Sequence, residues 1–299
     1  MHQSQAAVDA SMTLPDGRRL GFRELGDPGG DALFFFHGTP GSRLSVSETD
    51  PIALIPGVRL ITPERPGYGL SDPKPDRVLL DWARDVAELA DHLGIPKFAV
   101  GGVSGGGPHA LACAYALKER VTVALVLSSP SPTGFRGATD GMSTGNRLGL
   151  LFQRFAPGLL RRMMRSNGAA FEKDPDGFLN AIVRQMSSSD REIMSEEAVR
   201  ETIIRDLHEA YRQGGDAHAI DGALAMTGRD WGFDLRDIAV PVYLWHGDQD
   251  RLVSQAMFRH LATSIPHCTA HIVPEAGHLL DGNAMVIKEM GHAFKLHVA

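Results

Sequence analysis

Cysteine is scarce in this 299-residue chain, with Cys113 and Cys268 the only two. A pair of thiols cannot staple a domain of this size, and their spacing fits no common zinc pattern. Disulfide scaffolds and zinc modules are therefore excluded, and the expectation is two buried, reduced thiols in a cytosolic protein. Membrane-length apolar runs are missing as well: the run at Ala32 to Phe36 falls far short of the roughly 20 residues that a membrane helix needs. Met1 to Asp16 is polar and mixed, without the basic and apolar regions of a secretory signal. Nor is there a basic excess. With 30 Lys and Arg against 36 Asp and Glu, the formal net charge is −6, whereas a nucleic-acid partner favours a concentrated basic face. These absences point to a cytoplasmic protein with no nucleic-acid and no membrane partner.

What is present is a regular alternation. The chain is 43% hydrophobic, which at this length supports a substantial core and leaves room for an insertion. Strands are predicted at Arg19 to Leu25, Ala32 to Phe36, Val58 to Thr62, Phe98 to Val103, Val121 to Ser128, Val240 to Trp245 and Ala270 to Val273. The run at 32–36 is continuously apolar, as suits a strand covered on both faces. Helical spacing governs Val78 to Leu93, where Leu79, Trp82, Val86, Leu89, Ala90 and Leu93 share a face and Gly94 supplies a stop. Further helices are predicted at Pro108 to Arg120, 254–264 and 283–297. Between 133 and 230 strand signals vanish, and helical segments near 146–165, 176–188, 190–213 and 216–228 are expected. Strands alternating with helices imply a mainly parallel sheet covered on both faces. The domain reading is an α/β core, 1–132 and 231–299, with a helical cap inserted at 133–230.

Gly102-Val103-Ser104-Gly105-Gly106 fits G-x-S-x-G between a predicted strand and a predicted helix. A serine needs exposure on a sharp turn and a base before it can act as nucleophile. Glycines two residues either side permit that turn, since side chains there would crowd the adjoining strand and helix. Gly101 to Gly107 could instead cradle a phosphate at a helix N-terminus, but no Gly-Lys-Ser/Thr follows. The partner residues must decide. His246-Gly247-Asp248-Gln249-Asp250 follows one late strand and Glu275-Ala276-Gly277-His278 follows the last. The chain order Ser104, Asp250, His278 is the one this fold requires. His278 would be the general base, and Asp250 its orienting acid. Asp248 competes for that last role, and Asp250 is preferred because it lies further out on the loop. After the strand at 32–36 comes His37-Gly38-Thr39-Pro40-Gly41, a glycine-rich loop able to bring backbone amides to a developing oxyanion. The expected donors are the N–H groups of Thr39 and Gly105. Pro40 has no N–H to give, and His37 is expected to orient the loop.

Together with Glu64-Arg65-Pro66-Gly67-Tyr68-Gly69-Leu70-Ser71, these motifs resemble the α/β-hydrolase superfamily, in the branch with a His-Gly-x-Pro oxyanion motif and a helical cap. The resemblance runs from about residue 19 to the C-terminus. It implies a mostly parallel eight-stranded sheet with the active site between sheet and cap. Related dehalogenases and epoxide hydrolases carry an aspartate nucleophile where this chain has Ser104. Prolyl aminopeptidases typically carry tryptophan where it has Gly105.

The expected function is hydrolysis of an ester or related acyl bond by a carboxylesterase-like serine hydrolase, through an acyl-enzyme, with no metal or organic cofactor. Three alternatives stay open: a prolyl-type aminopeptidase, a carbon–carbon bond hydrolase on the same triad, and a small-molecule receptor on this fold. An aminopeptidase would need cap carboxylates for the substrate amine, for which Glu172, Glu192, Glu196 and Glu197 are available. Leu148, Leu151, Phe152, Phe155, Leu159, Leu160, Met163, Met164, Phe178, Ile182 and Met186 are expected to form the cap core or to pack on the sheet. Such an apolar cap suits a small neutral acyl substrate. Arg161, Arg162 and Arg165 read as a solvated basic edge. The expected assembly is a monomer or homodimer.

Overall fold

The computed structural model describes residues 7–226 and 231–298. Eight strands form one sheet: β1 (Val8–Thr13), β2 (Arg19–Gly26), β3 (Asp31–Phe36), β4 (Val58–Pro63), β5 (Phe98–Val103), β6 (Val121–Leu127), β7 (Val242–Gly247) and β8 (Cys268–Val273). Their spatial order is β1-β2-β4-β3-β5-β6-β7-β8. The β1·β2 and β2·β4 pairs are antiparallel, and every pair from β4 through β8 is parallel.

The phenylalanine run of β3 shows why the sheet interior reads as continuously apolar. Phe34 and Phe36 enter one core with Trp82, Val86 and Leu89 of α1 (Leu79–His92), Leu111 of α2 (Gly107–Ala116) and Phe258 and Leu261 of α9 (Gln255–Ser264). Leu33 and Phe35 enter the opposite core with Val286, Ile287, Met290 and Phe294 of α10 (Ala284–Val298). Alternate residues thus face two helical layers, and both sets must be hydrophobic. Parallel strands also place all their C-terminal ends along one edge. The loops after β3, β5, β7 and β8 emerge there together.

β1 lies outside the predicted strands: its alternation is short, only Ala10 and Met12 are partly buried against the core, and its other four residues are exposed. It is an edge strand, with Arg23 of β2 on Asp9 at 2.8 Å. Cys113 is buried, but Cys268 is only half-buried, and both are free thiols.

Among the described residues between β6 and β7 lie six α-helices, α3 (Thr144–Phe155), α4 (Pro157–Lys173), α5 (Pro175–Val183), α6 (Ser188–Ile193), α7 (Glu197–Ala210) and α8 (Asp216–Met226), and one short 3-10 turn at Leu235–Asp237. No strand interrupts them among the described residues. The end of the helix expected at 216–228 lies outside the described residues. The single helix expected at 146–165 is two, because Pro157 lacks an N–H and pushes Ala156 out of the helical region (φ −144°, ψ 57°). The expected 190–213 helix also divides. Glu196 is extended (φ −73°, ψ 124°), and Ser195 Oγ donates to the Glu192 carbonyl in place of a helical amide.

The core of this insertion is Phe171, Leu179, Met186, Met194, Leu207 and Tyr211. That matches the expected set in part: Met186 belongs to this core, Phe178 and Ile182 pack against it, and Leu160 is buried. Leu148, Leu151, Phe155, Leu159 and Met163 are exposed, and α3 buries no residue at all. These side chains repeat at helical spacing, but α3 packs chiefly on α4, and only Leu150 of its apolar residues joins a core cluster, beside Met142, Val253 and Met257. Arg161, Arg162 and Arg165 are exposed as expected. No helix among the described residues is long and apolar enough to cross a membrane.

Candidate active site

Ser104 stands where β5 turns into α2, in the left-handed region at φ 52°. A non-glycine residue adopts that conformation only when its surroundings impose it. Its neighbours show the constraint. A Cβ on Gly102 would lie 2.5 Å from the Gly106 carbonyl oxygen, and one on Gly106 would overlap the carbonyls of Phe36 and His37. Pro108 sits in the first turn of α2, where no amide hydrogen is missed. The turn leaves the Ser104 side chain partly accessible, and its hydroxyl makes no hydrogen bond among the described residues.

His278 follows β8 and is buried. Its Nδ1 donates to Asp250 Oδ2 at 2.8 Å. The other Asp250 oxygen accepts from the amides of Leu252 (2.8 Å) and Val253 (3.0 Å), which fix the carboxylate. Asp248 is exposed and takes no part. With Nδ1 committed to Asp250, the neutral imidazole carries its lone pair on Nε2, as a general base requires. Burial pulls the His278 pKa down, but Asp250, with help from Asp190 and Asp281, outweighs it and raises the pKa above its ordinary value. Burial likewise pushes the Asp250 carboxyl up, and His278 more than reverses this. Base catalysis needs neutral His278, so kcat/KM should fall as the pH drops through that raised pKa. Asp250→Asn should move this acidic limb to lower pH, while Asp248→Asn leaves it in place. A pH profile of each variant checks the pair, and an unmoved limb in Asp250→Asn would contradict it.

Thr39 and Gly105 face each other. A Cβ built on Gly105 would overlap the Thr39 hydroxyl and lie 3.4 Å from Thr39 N. The Ser104 carbonyl accepts from the Gly107 amide. In a planar trans peptide C=O and N–H point opposite ways, so the Gly105 N–H points away from α2. Arg65 Nη2 and His37 Nδ1 both donate to the Gly38 carbonyl, at 2.8 Å each, and the Thr39 N–H is turned the other way by the same rule. Gly105→Ala should drive these two donors apart. Its kcat is expected to fall on the order of 10- to 100-fold, as an ångström-scale misplacement does, with a lower Tm as well, since the added Cβ must displace the Thr39 side chain. Steady-state kinetics beside a melting curve test this.

His37 is a loop brace. Burial and the Arg65 charge hold its pKa well below the ordinary value, and its Nε2 accepts the Arg65 amide at 3.2 Å. The residues around it were not legible as site residues. Arg65 is fully buried and reaches Asp221 on α8 at 2.6 Å. Asp190 on α6 accepts from the backbone amides of His278 (3.0 Å) and Leu279 (2.9 Å). Asp206 on α7 accepts from both the amide and the hydroxyl of Ser42, at 2.8 and 2.6 Å. Three buried insertion carboxylates therefore grip three core loops. By contrast, Glu172, Glu192, Glu196 and Glu197 are all exposed.

Two open grooves border this region, and neither is lined by Ser104 or His278. One, of about 1150 Å³, is bordered by Phe135, Arg147, Leu151, Arg154 and His260. The other, of about 640 Å³, is lined by Asp250 itself with Ser187, Asp248 and Arg259.

A mostly parallel, doubly covered sheet with a serine on a strand-to-helix turn and a histidine–carboxylate pair on the same edge has the build of an α/β hydrolase. The family model described as the alpha/beta hydrolase fold matches residues 31–280, and the chain belongs to that family. A bifunctional esterase/perhydrolase from Acinetobacter calcoaceticus is 27% identical over 248 residues, covering 81% of this chain and 82% of its own. A non-heme chloroperoxidase from Streptomyces lividans is 28% identical over 254 residues, covering 82% and 84%. Among solved structures, a thermophilic esterase from Thermogutta terrifontis superposes with a TM-score of 0.62 at 21% identity, over 99% of this chain and all of its own. The protein is a hydrolase of this family.

Proposed function

We propose that the protein is a serine esterase cleaving a small, neutral carboxylic ester or lactone through an acyl-enzyme on Ser104. Ser104 Oγ attacks the acyl carbon and gives its proton to His278 Nε2. Asp250 stabilises the imidazolium, and the Thr39 and Gly105 amides take the oxyanion. Collapse breaks the bond to the leaving oxygen, which leaves with the proton from His278. Water, deprotonated by the same nitrogen, then attacks the acyl carbon and frees the carboxylic acid and Ser104. This chemistry needs no metal or organic cofactor.

The observation that carries the reading is the His278 Nδ1–Asp250 bond, which leaves Nε2 free on the sheet edge that also bears the strained Ser104 turn. The esterase named among the relatives supports the reaction class. Residues 133–230 are read as a cap on the core formed by 1–132 and 231–299. An aminopeptidase is disfavoured because every glutamate considered for the substrate amine is exposed.

Labelling with a fluorophosphonate, mapped by mass spectrometry, should modify Ser104 alone. A panel pairing alkyl esters and lactones with amino-acid arylamides should show turnover of the former. Labelling elsewhere, or preference for the arylamide, would contradict the assignment.

A further inference from the structure

We propose that Asp221, on an insertion helix, is a positioning residue for oxyanion stabilisation, acting through Arg65 on the loop that presents the Thr39 amide. The inference deepens the esterase reading and rests on it.

The Arg65 guanidinium is fully buried and spans four acceptors. Its Nε donates to Asp221 Oδ2 at 2.6 Å, Nη1 to the His37 carbonyl at 2.5 Å, and Nη2 to the Gly38 carbonyl at 2.8 Å and Thr39 Oγ1 at 2.9 Å. The planar fork therefore has Asp221 on one side and the oxyanion loop on the other. Turning the Gly38–Thr39 peptide would swing the Thr39 N–H off the position a developing oxyanion takes. It would also break the Arg65 bond to the Gly38 carbonyl. What holds Arg65 is Asp221, since a buried guanidinium without a counter-charge must relax toward other acceptors or water.

The same carboxylate also lies near the Gly105 side, without a hydrogen bond to it. Asp221 Oδ1 pairs with Arg77 Nη2 at 2.7 Å and lies 3.9 Å from His109 Nε2. His109 Nδ1 donates to the Gly105 carbonyl at 2.9 Å, and burial with the nearby Arg65 charge keeps the ring neutral, its pKa lowered to about 3. Burial alone would raise the Asp221 carboxyl, but Arg65 and Arg77 hold it well below the usual carboxylate range. One anion from the insertion thus serves two core cations beneath both donor loops. The cap, on this view, completes the catalytic geometry as well as roofing it.

The test compares wild type, Asp221→Asn, Arg65→Lys, the double variant and Ser104→Ala, each as full chain with its melting curve. The readouts are ester hydrolysis and the affinity of a trifluoromethyl ketone, whose serine adduct carries an oxyanion. Asp221→Asn should lose about 10- to 100-fold in kcat, short of or equal to the removal of one oxyanion donor, with KM within about threefold. Ketone affinity should fall by the same factor as kcat/KM, and the double variant should be no worse than the worse single. Should Asp221→Asn not fold, Arg65→Lys carries the test, since lysine keeps the charge pair but cannot span both carbonyls. Wild-type kcat in a folded variant, a loss confined to KM, or unchanged ketone affinity beside a slower rate would overturn the proposal. Full activity in Ser104→Ala would instead remove the esterase reading beneath it.

Discussion

Ser104→Ala should lose turnover by about 10⁴-fold or more while melting like the wild type. The two halves of this expectation have separate grounds. The Ser104 hydroxyl holds nothing in the fold: it makes no hydrogen bond among the described residues, and the side chain is partly accessible. Alanine at φ 52° carries the same backbone strain as serine, so stability should stay within about 0.5 kcal/mol, as for an exposed substitution. The rate falls because no other atom forms the acyl-enzyme. What survives is the oxyanion hole and binding, which alone give only slow attack by water. Burst kinetics with a chromogenic ester, run beside a melting curve, measures both. Turnover within tenfold of wild type would refute the nucleophile; a large Tm loss would show that the hydroxyl is structural after all.

The part of the site legible in the sequence is the part written locally. Ser104, Asp250, His278, Thr39 and Gly105 each follow a strand within a few residues, and each is announced by the glycines that its turn demands. A parallel sheet then brings distant turns to one edge without any further signal. The braces are different. Arg65 and Asp221 are 156 positions apart, and Asp190 meets His278 across 88. Nothing near Asp190, Asp206 or Asp221 separates them from the solvated acids on the same helices, such as Glu192 and Glu197. Only tertiary contact sorts the buried from the exposed. The apolar residues of α3 mislead for the complementary reason: periodicity reveals an apolar face but not whether anything covers it. Pro157 is a local signal of the split, since it cannot donate within a helix and starts α4 instead.

Asp190→Ala is expected to be the most damaging substitution outside the catalytic residues, because one side chain there holds up several donors at once. Its carboxylate accepts the His278 amide, the Leu279 amide and the Ser187 hydroxyl. All three donors lose that partner when it goes. Each buried donor left without an acceptor costs about 1–3 kcal/mol, and relief from burying the carboxylate offsets part of the sum, giving a net loss of about 2–4 kcal/mol. For a chain of this length that is a Tm decrease on the order of 3–6 °C. Activity should fall as well, since the loop released is the one that aims His278 at Asp250. The local backbone shows how close the fit is: a Cβ on Gly277 would overlap both the Asp190 carboxylate and the Ser187 hydroxyl. Gly277→Ala should therefore reproduce the Asp190→Ala loss from the opposite side of the contact. Combining the two should cost less than their sum, because each breaks the same clamp. Asp190→Asn is the sharper probe of mechanism. It keeps one acceptor oxygen but sets an N–H₂ against a backbone N–H, so it should sit between wild type and alanine in Tm and in kcat. Additive losses in the double variant, or a wild-type Tm for Asp190→Ala, would mean that the His278 loop stands without the insertion.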